Sequence, residues 1–331
     1  DGERSNAQDG LLQYEIKTEE VAPFTGIKVL TGGFFSQDFQ MLDHSNEAAP
    51  NIVNGVDLNA PRSIGNNFNT AQANWDLDVH LGEGVAMHLT TYLSSRHHPE
   101  AWVKGGYIQF DRLPFLPFEG IDKLMESVTI RVGHYDVNYG DAHYRRTDGG
   151  NSFYNPFVEN LIMDAFTTEI GGEIRYLKDG VLGVLSITNG EINGKVESAD
   201  RIAPAVILKL GYDRQLNDDL RVRLTGSMYT TSKSANNTLY SGDRTGSRYY
   251  LVLANAAPGV TATTNFTTGR FNPGFRSEVT SFVVNPFVKF RGLELFGNIE
   301  FSSGASATES DTRDASQFAV DIDHSLSHID A

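Results

Sequence analysis

Cysteine is absent from all 331 residues. That excludes disulfides, thiolate catalysis and Cys-ligated zinc or iron–sulfur centres. Long apolar runs are absent as well. Nowhere do 18 apolar residues follow one another, so the chain offers no helix suited to crossing a bilayer. Positive charge is scarce: 27 Lys and Arg stand against 42 Asp and Glu, a net charge of −15. No Lys/Arg-rich block offsets this, so nucleic acid, whose phosphates would be repelled, is excluded as a partner. Catalytic signatures are missing too: there is no Gly-x-Ser-x-Gly elbow, no Walker loop and no His-Glu-x-x-His. The chain is therefore read as a non-enzyme with no cofactor and no resident metal. The opening Asp1–Gly2–Glu3–Arg4 has neither Met nor an apolar signal segment. Export would mean that a signal peptide had already been removed.

What is present is a period of two. In the stretch from Phe166 to Tyr176, Phe166, Thr168, Ile170, Gly172, Ile174 and Tyr176 fall on one side. Thr167, Glu169, Gly171, Glu173 and Arg175 fall on the other. A strand turns successive side chains to opposite faces, so one face avoids water and the other carries charge of both signs. The pattern recurs. Trp75, Leu77 and Val79 alternate with Asp76, Asp78 and His80, Leu220, Val222 and Leu224 with Arg221, Arg223 and Thr225, and Leu293, Leu295 and Ile299 with Glu294, Phe296 and Glu300. A helical period would scatter the charges through the apolar set.

Soluble sandwiches and barrels alternate in the same way, with the apolar face inward. Two features favour a membrane barrel. The charged faces are long, which suits a water-filled lumen. The connections also alternate between short and long. Leu81–Gly82–Glu83–Gly84, Lys178–Asp179–Gly180, Leu216–Asn217–Asp218–Asp219 and Arg291–Gly292 are tight turns, whereas Asp43–Asn69, Asn138–Met163 and Ser232–Gly246 are long and polar. Short turns at one rim and long loops at the other describe an outer-membrane β-barrel. The mean hydropathy of −0.31 does not exclude it, because only alternate residues would meet lipid. The expected organisation is a periplasmic N-terminal lead-in over 1–25 and a transmembrane antiparallel β-barrel over 26–331. The segment Gln317–Asp323 and the end His328–Ile329–Asp330–Ala331 lack the aromatic closing strand usual in bacterial barrels, so the final strands are expected to be missing. About twelve to fourteen strands are countable by alternation.

Inward-facing candidates are Arg131, Arg175, Lys209, Arg221 and Arg223, against Asp76, Asp78, Glu169, Glu173, Asp213, Glu294 and Glu300. They either line a hydrated channel with a transverse field or pair across strands, as charges in sheets ordinarily do. The loop between Asn138 and Met163 is unusually long, and such loops are often functional. Folded into the lumen, it would place Arg145, Arg146 and Asp148 at a constriction. The alternative is an ordered surface loop held by Arg–Asp pairs.

The run GHYDVNYGDAHYRRTDGGNSFYNPFVENLIMDAFTTEIGGEIRY (Gly133–Tyr176), together with GDRTGSRYY (Gly242–Tyr250) and GGFFSQDFQMLDH (Gly32–His44), resembles a group of outer-membrane porin-like proteins of Bacteroidetes and neighbouring phyla. These are distantly similar to phosphate-selective porins. The resemblance spans most of the chain from about Gly26 to Phe318. It implies a barrel of about 16 to 18 strands, the size of porins, and admits a homotrimer. It carries no phosphate selectivity, since no Lys- and Arg-lined ladder is visible in this acidic chain. The expected function is passive diffusion of small hydrophilic solutes or ions across the bacterial outer membrane. Lipid and lipopolysaccharide would then be its surroundings. The alternative is a non-conducting structural barrel that anchors partner proteins in a larger envelope assembly.

Smaller features complete the reading. His97–His98 before Pro99 is read as a surface turn rather than a metal site, because adjacent strand residues face opposite sides. Asp141, Asp148 and Asp311–Asp314 lack the twelve-residue calcium-loop pattern. Pro286 inside Val279–Phe290 predicts a bulge or local break. Gly105–Gly106 and Gly171–Gly172 predict bends or close backbone approach. Ile121, Leu124 and Met125 have helical spacing, which predicts a short periplasmic helix between two strands.

Overall fold

The computed structural model describes residues 14–15, 21, 23–37, 39–68, 72–93, 101–116, 118, 120–146, 161–193, 202–243, 254–261, 265, 270–306 and 312–324. Strand follows strand: β1 (Lys28–Ser36), β2 (Phe39–Gln40), β3 (Ile52–Val53), β4 (Val56–Asp57), β5 (Asn67–Phe68), β6 (Gln72–Gly82), β7 (Val85–Leu93) and β8 (Trp102–Phe110). The short helix α1 (Ile121–Met125) precedes β9 (Val128–Asp136), β10 (Thr168–Lys178), β11 (Val181–Thr188), β12 (Ala205–Asn217), β13 (Leu220–Thr231), β14 (Glu278–Phe290), β15 (Leu293–Ala305) and β16 (Arg313–His324). Twelve of these strands form one antiparallel meander in the order β1-β6-β7-β8-β9-β10-β11-β12-β13-β14-β15-β16. The two-residue strands make two small hairpin-like pairs, β2 with β5 and β3 with β4. The protein is thus all-β around one large antiparallel sheet. Among the described residues β1 and β16 do not pair with each other, and each has a strand on one side only.

Local sequence explains the connections. Asp179 and Gly180 both take positive φ, 52° and 85°, as a two-residue turn matched to strand twist requires. Asn54 and Gly55 repeat the arrangement between β3 and β4, at 52° and 80°. The expected tight turns join β6 to β7, β10 to β11, β12 to β13 and β14 to β15, and a meander places them all at one rim. The same rim carries α1, where Gly120 enters at φ 86° and Met125 is buried against Leu113 and Val128. The helix expected from Ile121, Leu124 and Met125 is therefore present. The long connections lie at the opposite rim.

Pro286 does not end its strand. β14 runs on through it, in register with Leu224 of β13. Toward β15 the ladder skips from Val284↔Ile299 to Phe287↔Phe296. The irregularity is therefore confined to the side where proline has no N–H to give. Asn285 Nδ2 donates to the Gly297 carbonyl there at 3.0 Å, so that acceptor is satisfied. Gly297 leaves space for the pyrrolidine ring: a Cβ would lie 2.8 Å from Pro286 Cγ. The expected glycine approaches are equally close. A Cβ on Gly171 would collide with the Ile187 carbonyl, and one on Gly105 would meet the His134 carbonyl at 2.9 Å, beside a bulge in the β7–β8 ladder.

The sheet is strongly curved. Tyr229 of β13 donates to Glu169 of β10 at 2.7 Å. In a flat sheet those strands would stand about 14 Å apart, three interstrand spacings. At the long-loop rim, Arg62 N donates to Ala254 O at 3.0 Å and Ala256 N to Ala60 O at 3.1 Å. The connection after β1 thereby meets the connection after β13.

The two faces are inverted relative to a soluble sheet. Along β14 the exposed set is Phe282, Val284, Val288 and Phe290, and the buried set includes Ser281 and Asn285. Along β10, Ile170, Ile174 and Tyr176 are exposed, while Glu169 and Glu173 have no accessible surface. The convex face is apolar and uncovered. The concave face carries the charged side chains together with apolar ones such as Ile207, Val283, Phe287 and Phe296, and it is buried along β10 to β15.

Candidate functional site

The concave face is filled by chain that leaves β9. Gly140 N donates to Ser227 Oγ at 3.1 Å and Asp141 N to Asn285 Oδ1 at 3.0 Å, which docks this connection on β13 and β14. Glycine is required at 140: φ is 66°, and a Cβ would sit 3.0 Å from Val283 and 3.1 Å from Asn285. A short 3-10 turn follows over Ala142–Arg145. The returning half is held by the connection after β13. Asp164 N donates to Leu239 O at 2.6 Å, and Asp243 accepts from Leu161 N and Ala165 N. Val137, Tyr139, Leu161, Met163, Leu239, Tyr240 and Phe275 form the apolar part of this packing.

At its centre lies an ionic cluster. Lys209 of β12 sits 2.6 Å from Asp141 and 2.7 Å from Glu15, and donates to Asn138 Oδ1 at 2.9 Å and Gly140 O at 2.8 Å. Arg223 of β13 makes a two-pronged contact with Asp141, both bonds 2.8 Å, and reaches Glu15 at 2.6 Å and Asp213 at 3.0 Å. Arg221 binds Asp213 through two bonds of 2.8 and 2.7 Å. Thr225 completes the shell of Asp141 at 2.8 Å. The side chains of Lys209, Glu15 and Asp141 are wholly buried, and Arg223 is 1% exposed. Burial alone would raise both carboxyls, but Lys209 and Arg223 outweigh it, and Glu15 and Asp141 are held below the usual carboxylate range. His143, beside them, is pushed down to about 3 by burial and then by the Lys209 charge, so it stays neutral.

The remaining candidates sit as follows. Arg145 is buried over the Phe296 ring at 4.7 Å, with Glu294 at 3.8 Å. Arg146 faces Asp136 at 3.3 Å and the Phe166 ring. Glu173 pairs with Arg175 two residues along the same face and accepts from Ser186 at 3.1 Å. Glu169 takes bonds from Thr188 and Tyr229, and Glu300 from Tyr240 at 2.7 Å. Arg131 donates to Gln109 at 2.9 Å and lies over Tyr107. Asp148, His97–His98 and the stretch 147–160 lie outside the described residues. No group of three metal-type ligands occurs among the described residues.

Lys209, Arg221 and Arg223 thus converge, while Arg145 and Arg175 lie in neighbouring ion pairs. Glu15 and Tyr14 escaped the sequence reading, since they fall in the stretch read as a lead-in. Tyr14 stacks edge-on against Tyr144 and Phe287 at 5.6 and 5.5 Å and lies under Arg223 at 4.1 Å. Glu15 lies 208 residues from Arg223, and no local pattern marks such a pairing.

The opposite wall differs. In β6 and β7, Asp78 pairs with His88, with side chains 29% and 20% exposed, and Asp76 accepts from Thr90 at 2.7 Å. No protein-family model matches this chain, and no curated protein matches it.

Proposed function

We propose that this protein is a transmembrane β-barrel of the bacterial outer membrane that conducts small hydrophilic solutes or ions. The observation that carries this reading is the inversion of the two faces. Phe282, Phe290, Leu210, Leu224, Phe301 and Phe318 stand uncovered on a continuous convex surface, at exposures of 49 to 74%. Charged side chains fill the concave side. In water such an apolar surface would aggregate. In a bilayer it is the lipid face, and the polar concave face becomes the lumen. Backbone groups at a free sheet edge have no partner in hydrocarbon, so the reading requires closure, either by β1 meeting β16 or by further strands.

The solute path follows the wall of β6 and β7. There Asp76, Asp78, His88 and Thr90 are only half-buried, whereas the wall of β12 to β15 is filled by the inward connection. The test is current through single copies in a planar bilayer with a salt gradient. Stepwise ohmic conductance with a defined reversal potential supports the channel. Silence from folded, inserted protein removes it.

The buried ionic cluster favours a second reading in the same membrane setting: a structural barrel whose interior is closed, with the long loops serving as docking surfaces for envelope partners. Deleting 147–160 separates the two. Raised conductance supports a constriction. Loss of partner binding at unchanged conductance supports the anchor.

A further inference from the structure

We infer that the socket around Lys209 and Arg223 is a carboxylate-binding site for ligands that carry an aromatic ring beside the acid, and that Tyr14–Glu15 is its built-in occupant. The inference rests on the barrel reading proposed above, in which emptying the socket of Tyr14–Glu15 opens it to the lumen. Three observations carry it.

The first is the fit of the carboxylate. Glu15 presents one oxygen to each cation, Oε1 to Lys209 at 2.7 Å and Oε2 to Arg223 at 2.6 Å. Two donors on two different strands, each meeting a different oxygen, define a site for a planar anion.

The second is the charge arrangement. Among the described residues, Glu15, Asp141 and Asp213 are carboxylates paired with Lys209, Arg221 and Arg223. Asp141 and Asp213 belong to the wall and its docked connection, and Glu15 comes from the chain before β1. Removing it takes from Lys209 and Arg223 a carboxylate that both contact, and a buried cation that loses a partner favours an anion in its place.

The third is the aromatic slot. Tyr14 lies between Tyr144 and Phe287, with Arg223 over its ring at 4.1 Å and Arg221 at 5.4 Å. These four groups belong to the docked connection and to β13 and β14, so they stay when Tyr14 is removed. A ring of similar size would find the same edge-on and cation contacts.

The test is a binding measurement, so that it does not depend on conduction. The double variant Y14A/E15A is prepared in detergent and its β circular dichroism compared with that of the unaltered chain. Acetyl-Tyr-Glu-amide is then titrated calorimetrically, with acetyl-Tyr-Gln-amide as the uncharged control. The expected result is one site on the variant, at least tenfold tighter for the Glu peptide than for the Gln peptide, and no measurable heat with the unaltered chain. Equal binding of the two peptides overturns the inference, as does a folded variant that binds neither, or an unaltered chain that binds as well as the variant. Should Y14A/E15A not fold, E15Q retains the volume and removes the charge. The Glu peptide must then bind it at least tenfold more tightly than it binds the unaltered chain, and equal binding overturns the inference. Peptide binding by a protein that is silent in the bilayer would remove the channel alone. Current without peptide binding would remove the carboxylate site alone.

Discussion

The two walls of this sheet were built from the same alternation and ended in opposite states. On the wall of β12 to β15, inward residues such as Lys209, Arg223, Asn285 and Glu300 have almost no contact with solvent. On the wall of β6 and β7, inward residues such as Asp78 and His88 keep 20 to 29% of their side-chain surface. Nothing in the strands themselves makes the difference. Among the described residues, the connection after β9 and Tyr14–Glu15 cover the packed wall, while Asp76, Asp78, His88 and Thr90 on the other wall stay half-buried. Charge on the covered wall is a structural matter, because each group is desolvated and needs its partner. Charge on the half-buried wall keeps contact with solvent.

The sharpest way to break the comparison is to remove a charge from each wall. Lys209→Met leaves Glu15 and Asp141 buried with Arg223 as the cation in direct contact with both among the described residues. Loss of one partner from a buried ion pair typically costs about 3–5 kcal/mol. The expected outcome is a large fall in the denaturant midpoint and exposure of the connection after β9 to protease. A variant as stable as the parent would mean that the cluster is hydrated.

The outer surface should not distinguish the walls. Leu210→Arg in β12 and Leu77→Arg in β6 both place charge on the apolar side. For a lipid-facing strand the cost near the midplane is about 2–4 kcal/mol for either site. Folding into vesicles measures it. Leu210 is already 59% exposed, so in a soluble protein its replacement by Arg would cost almost nothing.

Acid should loosen the packed wall first. The folded His143 has its affinity for protons depressed to about 3, below the ordinary value near 6.5, so acid favours the state in which the ring is released. Stability from this group is complete above about 6.5 and falls by about 1.4 kcal/mol per pH unit below it, so about 2 kcal/mol is gone by pH 5. Glu15 and Asp141, also depressed, keep their contribution until lower pH and then lose it in the same direction. Hydrogen exchange of Gly140 and Asp141 should rise across this window while that of β7 does not. His143→Gln should flatten the upper part of the profile.

The difference between the walls also marks what a sequence can carry. Strands, tight turns and α1 are legible because their determinants are local: a period of two, Asp179–Gly180, and Ile121 with Leu124 and Met125. Which face is charged is legible for the same reason. Which charges are buried is not, because burial of Lys209 depends on Asp141 and Glu15 reaching it from distant chain. Pro286 shows the limit within a strand. Its effect on the ladder was foreseeable, but its repair by Asn285 and Gly297 depends on the neighbour in β15.

The smallest stability effect belongs to Asp78→Asn. The Asp78–His88 contact is partly solvated, and exposed pairs are typically worth less than about 1 kcal/mol, so the variant should fold as the parent does. Its consequence lies elsewhere. Removing one negative charge from a half-open wall lowers the local preference for cations, since selectivity is set by the charges that line the path. In a salt gradient the reversal potential should move toward the value for anions, with conductance changed little. Asp213→Asn, which weakens the pairing of Arg221 and Arg223, serves as the contrast on the other wall, where the loss should appear in stability more than in selectivity. If Asp78→Asn leaves the reversal potential unmoved in a conducting protein, the path does not run along β6 and β7, and the half-exposure of that wall has another cause.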